Sequence, residues 1–134
     1  MGIKSKLNAV FDYEIVDEFL DHYTIMSDCI DALIIDLGKE ELFERSLDEL
    51  KRVIHNIASS TSYLKLESIN RLANFVEGVL DEIRSKNSKI NHQTEEWLLL
   101  VADTLKLWGD ELENDEDLSP IKFSLLKLPD LEAK

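Results

Sequence analysis

Apolar and polar residues follow the period of an α-helix in four separate stretches of this chain. In the first, residues 13–37, apolar side chains recur at steps of three and four, which places them on one helix face. Asp12 can cap the start of this helix, and Gly38 is a natural stop after it. The recurring apolar positions are Ile15, Val16, Phe19, Leu20, Tyr23, Met26, Ile30, Leu33, Ile34 and Leu37.

The same periodicity predicts three further helices. The second begins near Ser46, which has the spacing of a capping box with Glu49. The third covers residues 66–86 and ends at a turn rich in serine, lysine and asparagine. The fourth covers residues 94–113, and Thr94 is its expected N-terminal cap.

Helices of about 20 residues joined by short connections are typical of an antiparallel bundle. The predicted fold is therefore all-α, an antiparallel up-and-down four-helix bundle. Residues 1–11 form an N-terminal lead, residues 12–113 the bundle, and residues 114–134 an acidic break and a tail. The tail is apolar enough to dock on the bundle, and Ser119-Pro120 can start a short fifth helix; both alternatives remain open.

Composition limits the classes of function. The net charge of −13 disfavours nucleic acid and anionic membranes as partners. Cys29 is the single cysteine, so no internal disulfide can form; we expect a reduced compartment and a buried thiol. The N-terminus is a poor secretion signal, and no apolar run is long enough to span a bilayer. A cytoplasmic protein is expected.

His55 lies on the polar side of the second predicted helix, about 140° from the centre of the apolar stripe at 100° per residue. Lys51 and Arg52 precede it by four and three residues, which places both cations on the same patch. Small side chains after the histidine leave room for another protein to approach the imidazole. These small residues are Ala58, Ser59, Ser60 and Ser62.

Other chemistry has little support in the sequence. His22 and His92 lack the paired glutamate and histidine boxes that a di-iron bundle requires, so no metal site is predicted. The chain has no glycine-rich phosphate loop and no box of a kinase catalytic domain. Autonomous phosphorylation from ATP is therefore not expected, and enzyme status is left open.

Residues 52–84 resemble the histidine phosphotransfer (HPt) domain, especially the N-terminal phosphotransfer domain of chemotaxis-type histidine kinases. Arg52 falls on the family's arginine, His55 on its phospho-accepting histidine and Glu77 on the glutamate of the next helix. The resemblance extends over roughly residues 13–112. The family's apolar positions are occupied by Leu64, Leu66, Ile69 and Leu72.

Three positions of the candidate patch differ from the family. Ala58 stands where the family has lysine, Ser59 where it has glycine, and Asn74 where it has a second histidine. Phosphate neutralisation would then depend on Lys51 or Arg52.

The resemblance implies a phosphoryl carrier that accepts and donates phosphate on His55, with Glu77 orienting the imidazole. A response-regulator receiver domain, a histidine kinase catalytic domain, or both would be the partners. The receiver would bring Mg²⁺, this chain would need no cofactor, and the bundle would be a monomer.

Two alternatives stay open. One is a degenerate HPt-like module that binds a receiver or kinase without phosphotransfer, which the changes at Ala58 and Ser59 motivate. The other is an acidic helical adaptor whose surface near Trp97 and Trp108 holds a partner helix, although both tryptophans are expected in the core.

Overall fold

The computed structural model describes residues 2–133, which form six α-helices and no β-strand. The four long helices that the periodicity predicts are all present, and a short helix lies at either end of them. The helices are α1 (Ile3–Val10), α2 (Tyr13–Asp36), α3 (Phe43–Tyr63), α4 (Glu67–Lys86), α5 (His92–Glu113) and α6 (Phe123–Leu126).

Helices α2 to α5 form the antiparallel bundle. Helix α2 packs against both α3 and α5, and α3 packs against α4. Phe75 of α4 meets Trp97 of α5 edge to face, with ring centroids 6.1 Å apart, on the fourth side of the bundle. The Tyr23 hydroxyl of α2 donates to the Leu105 carbonyl of α5 over 2.6 Å and ties these two helices in register. The predicted all-α bundle is confirmed.

One continuous apolar core lies between the four long helices. The predicted apolar stripes supply its largest fully buried side chains, and both tryptophans are buried, as expected. No helix within residues 2–133 is long and apolar enough to cross a membrane. The largest fully buried side chains are Trp108, Tyr23, Ile30, Ile34, Leu37, Leu47, Leu50, Ile54, Ile57, Ile69, Leu80 and Ile83.

Two predicted helix caps are wrong. Helix α3 begins at Phe43 rather than near Ser46, and Ser46 is buried within its first turn. The helix starts three residues earlier because this buries the Phe43 side chain. The free energy gained by that burial outweighs the preference of serine for the N-cap position. In α5 the cap is Asn91, whose side-chain oxygen accepts from the Thr94 backbone N–H over 2.8 Å.

Cys29 is exposed, so its predicted burial is also wrong. It lies on the solvent side of α2, where its Sγ–H donates to the Met26 carbonyl over 3.1 Å. Partial desolvation raises the pKa of this thiol, which keeps the reactive thiolate scarce near neutral pH.

The N-terminal lead contains helix α1, an element that the periodicity did not predict. Asp115 caps this helix from a distance, because its carboxylate accepts from the Ser5 backbone N–H over 2.8 Å and from the Ser5 hydroxyl. Leu7 is the buried side chain of α1. The cap therefore depends on a residue 110 positions away in the chain, which no local pattern reveals.

The tail docks along α5 and also contains a short helix, so both sequence-based alternatives are present. We call residues 119–133 the C-terminal strap. The indole N–H groups of Trp108 and Trp97 donate to the carbonyls of Ser119 and Leu125 over 2.8 and 3.2 Å. Helix α6 within the strap begins at Phe123, after the predicted Ser119-Pro120 start. The chain's own strap thus lies on the tryptophan surface that the adaptor alternative assigned to a partner helix.

Candidate functional site

The candidate site lies on the outer face where α3 and α4 run side by side in opposite directions. Three pairs of polar side chains bridge the two helices, one pair at each turn. Each step up α3 is matched by an equal step down α4, as an antiparallel register requires. The pairs are Asp48–Arg84, Lys51–Asp81 and His55–Glu77.

His55 ends this row of pairs and is the most accessible to a partner protein. Its side chain is 65% exposed, and its Nδ1 lies 3.2 Å from Oε1 of Glu77, whose side chain is 27% exposed. An ionised carboxylate can only accept a hydrogen bond, so this contact places a proton on Nδ1. In the neutral ring, Nε2 then carries the free lone pair.

An open polar groove continues from His55 along the α3–α4 face. Ser59 and Ser62 line its α3 side, and Asn70 and Asn74 line its α4 side. Ala58, which is buried, lies at its base. The groove thus surrounds the imidazole with hydroxyl and amide groups.

Asn70 joins α4 to α3 across this groove, and Asn74 supports it from the next turn of α4. Asn70 donates to the Ala58 carbonyl over 2.7 Å, and Asn74 donates to the side-chain oxygen of Asn70 over 3.1 Å. A backbone carbonyl can only accept, so the amide N–H of Asn70 must donate to Ala58. The side-chain oxygen of Asn70 is then the acceptor for Asn74. Among residues 2–133, the second side-chain N–H of Asn74 and its oxygen have no hydrogen-bond partner. Asn70 was missed by the sequence analysis, although it lies one helical turn before Asn74.

The two cations that precede His55 on α3 differ in their ion pairing. Lys51 is paired with Asp81 across the helix interface. Arg52 is exposed and forms no ion pair with any side chain among residues 2–133. Position 58, where the resembled family carries lysine, holds the short buried side chain of alanine. Within the described part of the chain, Arg52 is therefore a cation without an ion pair, three residues before His55 on α3.

The structure brings seven of the predicted residues to one face: Lys51, His55, Ala58, Ser59, Ser62, Asn74 and Glu77. Arg52, also predicted, is exposed on α3 but does not line this groove. The other histidines lie elsewhere. His22 lines a groove between α2 and α3, and His92 pairs with Glu96 at the start of α5 over 3.0 Å. In the described part of the chain, no three His, Cys, Asp or Glu side chains are arranged to hold a metal ion.

Comparison with known proteins adds no relative: no family model matches this chain, and no curated protein or solved structure matches it.

Proposed function

We propose that this protein is a phosphoryl carrier of a two-component phosphorelay, an HPt-type domain that accepts and donates phosphate on His55. The contact between His55 Nδ1 and Glu77 Oε1, 3.2 Å long, carries the proposal. It supplies a reason for one tautomer, with the nucleophilic lone pair on Nε2 of an exposed ring. The resemblance of residues 52–84 to the family supports the same assignment.

The reaction needs no proton transfer at this chain. The Nε2 lone pair attacks phosphorus, a P–N bond forms, and the P–O bond to the donor breaks with its electron pair left on the donor oxygen. The ring then becomes a phosphoimidazolium that keeps its proton on Nδ1. Glu77 faces that proton and offsets the positive charge of the ring. Reversal of the same steps delivers the phosphoryl group to an acceptor.

The phosphoryl oxygens would meet donors from both walls of the groove. Ser59 would contribute a hydroxyl and Asn74 its second amide N–H. The guanidinium would come from Arg52, which is exposed three residues before His55 on α3. This set would replace the lysine that the family places at position 58. Phosphoryl transfer depends mainly on positioning and charge neutralisation, which such a set supplies.

A partner must deliver the phosphoryl group, because the sequence carries no nucleotide-binding motif. The partner would be a receiver domain with an aspartyl phosphate and its own Mg²⁺, or the catalytic domain of a histidine kinase with ATP. The exposure of His55 and the small side chain of Ser59 allow a globular partner to approach the ring closely.

The test is uptake of phosphate, measured on the intact protein by mass spectrometry at alkaline pH. The protein is mixed with a phosphorylated receiver domain, or with a chemotaxis-type kinase core and ATP. We expect one phosphate on the wild type and on the control His92→Gln, and none on His55→Gln. The phosphate should be stable in base and labile in acid. Uptake by His55→Gln, or no uptake by the wild type from either donor, would refute the proposal.

A second candidate is a degenerate HPt-like binding module without phosphotransfer. The observations that favour it are the buried alanine at position 58 and the engagement of Lys51 by Asp81, which leave fewer cations at the ring. This module would bind a receiver with equal affinity as wild type and as His55→Ala, and neither protein would take up phosphate.

A further inference from the structure

A second groove lies on the α2–α3 side of the bundle, around the corner from the His55 groove. Its volume is about 640 Å³, and its lining is mainly apolar. Three large apolar side chains stand on its edges in solvent: Ile15 is 37% exposed, Ile25 67% and Tyr63 61%. Phe19 and Met26 form its base. Apolar side chains clustered around a groove in this way are typical of an interaction site.

The α2 side of this groove is acidic. Helix α2 contains no lysine or arginine, and Glu18 lies in the groove lining with Asp21 exposed one turn further along. The α3 wall within the groove is uncharged. The groove therefore fits an apolar segment that carries positive charges. The acidic residues of α2 are Glu14, Asp17, Glu18, Asp21, Asp28, Asp31 and Asp36.

The middle of the C-terminal strap, before Asp130 and Glu132, presents a surface of the opposite kind. Residues 121–128 contain two lysines, Lys122 and Lys127, and no acidic residue. Phe123 is 89% exposed and Leu126 67% exposed, although both belong to helix α6. Leu125 between them is buried, and its carbonyl accepts from Trp97. The segment is therefore held against α5 through Leu125, while Phe123 and Leu126 face solvent.

The groove and the strap lie on different sides of the molecule. The strap follows the Trp97 and Trp108 side of α5, whereas Leu105 and Gly109 mark the side of α5 that faces α2. The groove lies beyond α2, between it and α3. A strap docked on its own α5 therefore cannot fill the groove of the same molecule, but the strap of a second copy can.

We propose that this chain associates head to tail with a second copy of itself. Phe123 of one molecule inserts among Ile15, Ile25 and Tyr63 of the next. Lys122 and Lys127 lie against the acidic α2 side of that groove. Because the two surfaces differ, the contact is heterologous, and further copies can add in the same way.

The inference is independent of phosphotransfer, because the association requires no reaction at His55. The two sites are nevertheless neighbours, since Ser59 lines both grooves. A docked copy would lie within about one helical turn of the imidazole.

The test is analytical ultracentrifugation of the full chain from about 10 µM to about 1 mM, a range that covers weak self-association. We expect the weight-average mass to rise above 15.4 kDa with concentration. Phe123→Asp and Ile25→Asp should each stay monomeric. An equimolar mixture of these two variants should form a one-to-one dimer, since each retains the surface that the other lacks. That restored dimer would also show that both variants are folded.

Charge variants test whether the lysines of the strap pair with the acidic α2 side of the groove. Lys122→Glu with Lys127→Glu should abolish the association. Glu18→Gln with Asp21→Asn should weaken it at least tenfold, while a control with the same net charge, Glu82→Gln with Asp110→Asn, should not. A wild-type mass that stays at 15.4 kDa at 1 mM would overturn the inference, as would association that survives Phe123→Asp.

Discussion

Replacement of Glu77 by alanine tests the part of the proposed mechanism that depends most directly on geometry. The change removes the only carboxylate in contact with Nδ1 of His55 within the described residues 2–133. The ring then loses its preference for the tautomer with a free Nε2, and the phosphoimidazolium loses its counter-charge. We expect slower phosphoryl transfer from an unchanged fold.

The size of the effect follows from the exposure of the pair. A hydrogen bond to a charged group contributes about 1.5–3 kcal/mol where it is shielded from water. His55 is 65% exposed and Glu77 27%, so solvent screening reduces this to about 1 kcal/mol. A barrier raised by ~1 kcal/mol slows the reaction about fivefold. Glu77→Gln keeps an acceptor oxygen without the charge and should be slowed about twofold.

The assay is the initial rate of phosphate gain from a phosphorylated receiver domain, followed by intact mass at alkaline pH. Glu82→Ala is the matched control, because Glu82 is exposed on the same helix and its removal changes the net charge equally. In urea unfolding, Glu77→Ala should lose no more than about 1 kcal/mol of stability, since the lost contact is screened by solvent. Glu82→Ala should stay within about 0.5 kcal/mol of the wild type. An unchanged rate for Glu77→Ala, or an equal slowing by Glu82→Ala, would refute the orienting role.

Three further predictions concern the scaffold. Burial raises the pKa of Tyr23 well above its usual 10.0, so folding holds the phenol neutral and stability is lost as pH rises beyond about 10. Urea unfolding at pH 8 and pH 11 should show a smaller alkaline loss for Tyr23→Phe than for the wild type; equal losses would contradict this origin. A methyl group at Gly2 would overlap the Asp115 carbonyl, so Gly2→Ala should release α1 and speed its amide hydrogen exchange, whereas Asn8→Ala should not. Asn91→Ala removes the α5 cap and two hydrogen bonds to the strap, and should lower the free energy of unfolding by about 1–2 kcal/mol. A loss below about 0.3 kcal/mol would mean that the cap is dispensable.

The long helices could be predicted because their signal is local. Residues three and four apart share a helix face whatever the rest of the chain does, so the apolar stripes of α2 to α5 identify both the helices and the core. Helix ends were less predictable. Ser46 and Thr94 have capping chemistry, but burial of Phe43 and the position of Asn91 decide where α3 and α5 begin.

In the candidate site, too, the features set by a single helix could be predicted, and the contacts between helices could not be predicted from local patterns. The exposure of His55 follows from its angle on the helix, and the structure agrees. No local pattern relates residues on different helices, so the contact of His55 with Glu77 could be expected only from the family resemblance. The Asn70–Ala58 hydrogen bond was missed, since it depends on how far α4 is shifted along α3.

By itself, the sequence determined four amphipathic helices, their buried faces, an acidic surface and a histidine on the solvent side of one helix. Only the tertiary structure decided the Asp115 cap of α1, the strap on the tryptophans, the Asp81 partner of Lys51 and the proximity of Glu77 to His55. The reason is the range of the interactions. Helical periodicity repeats within four residues, whereas these contacts join residues 11 to 110 positions apart and form only when the elements pack in one register.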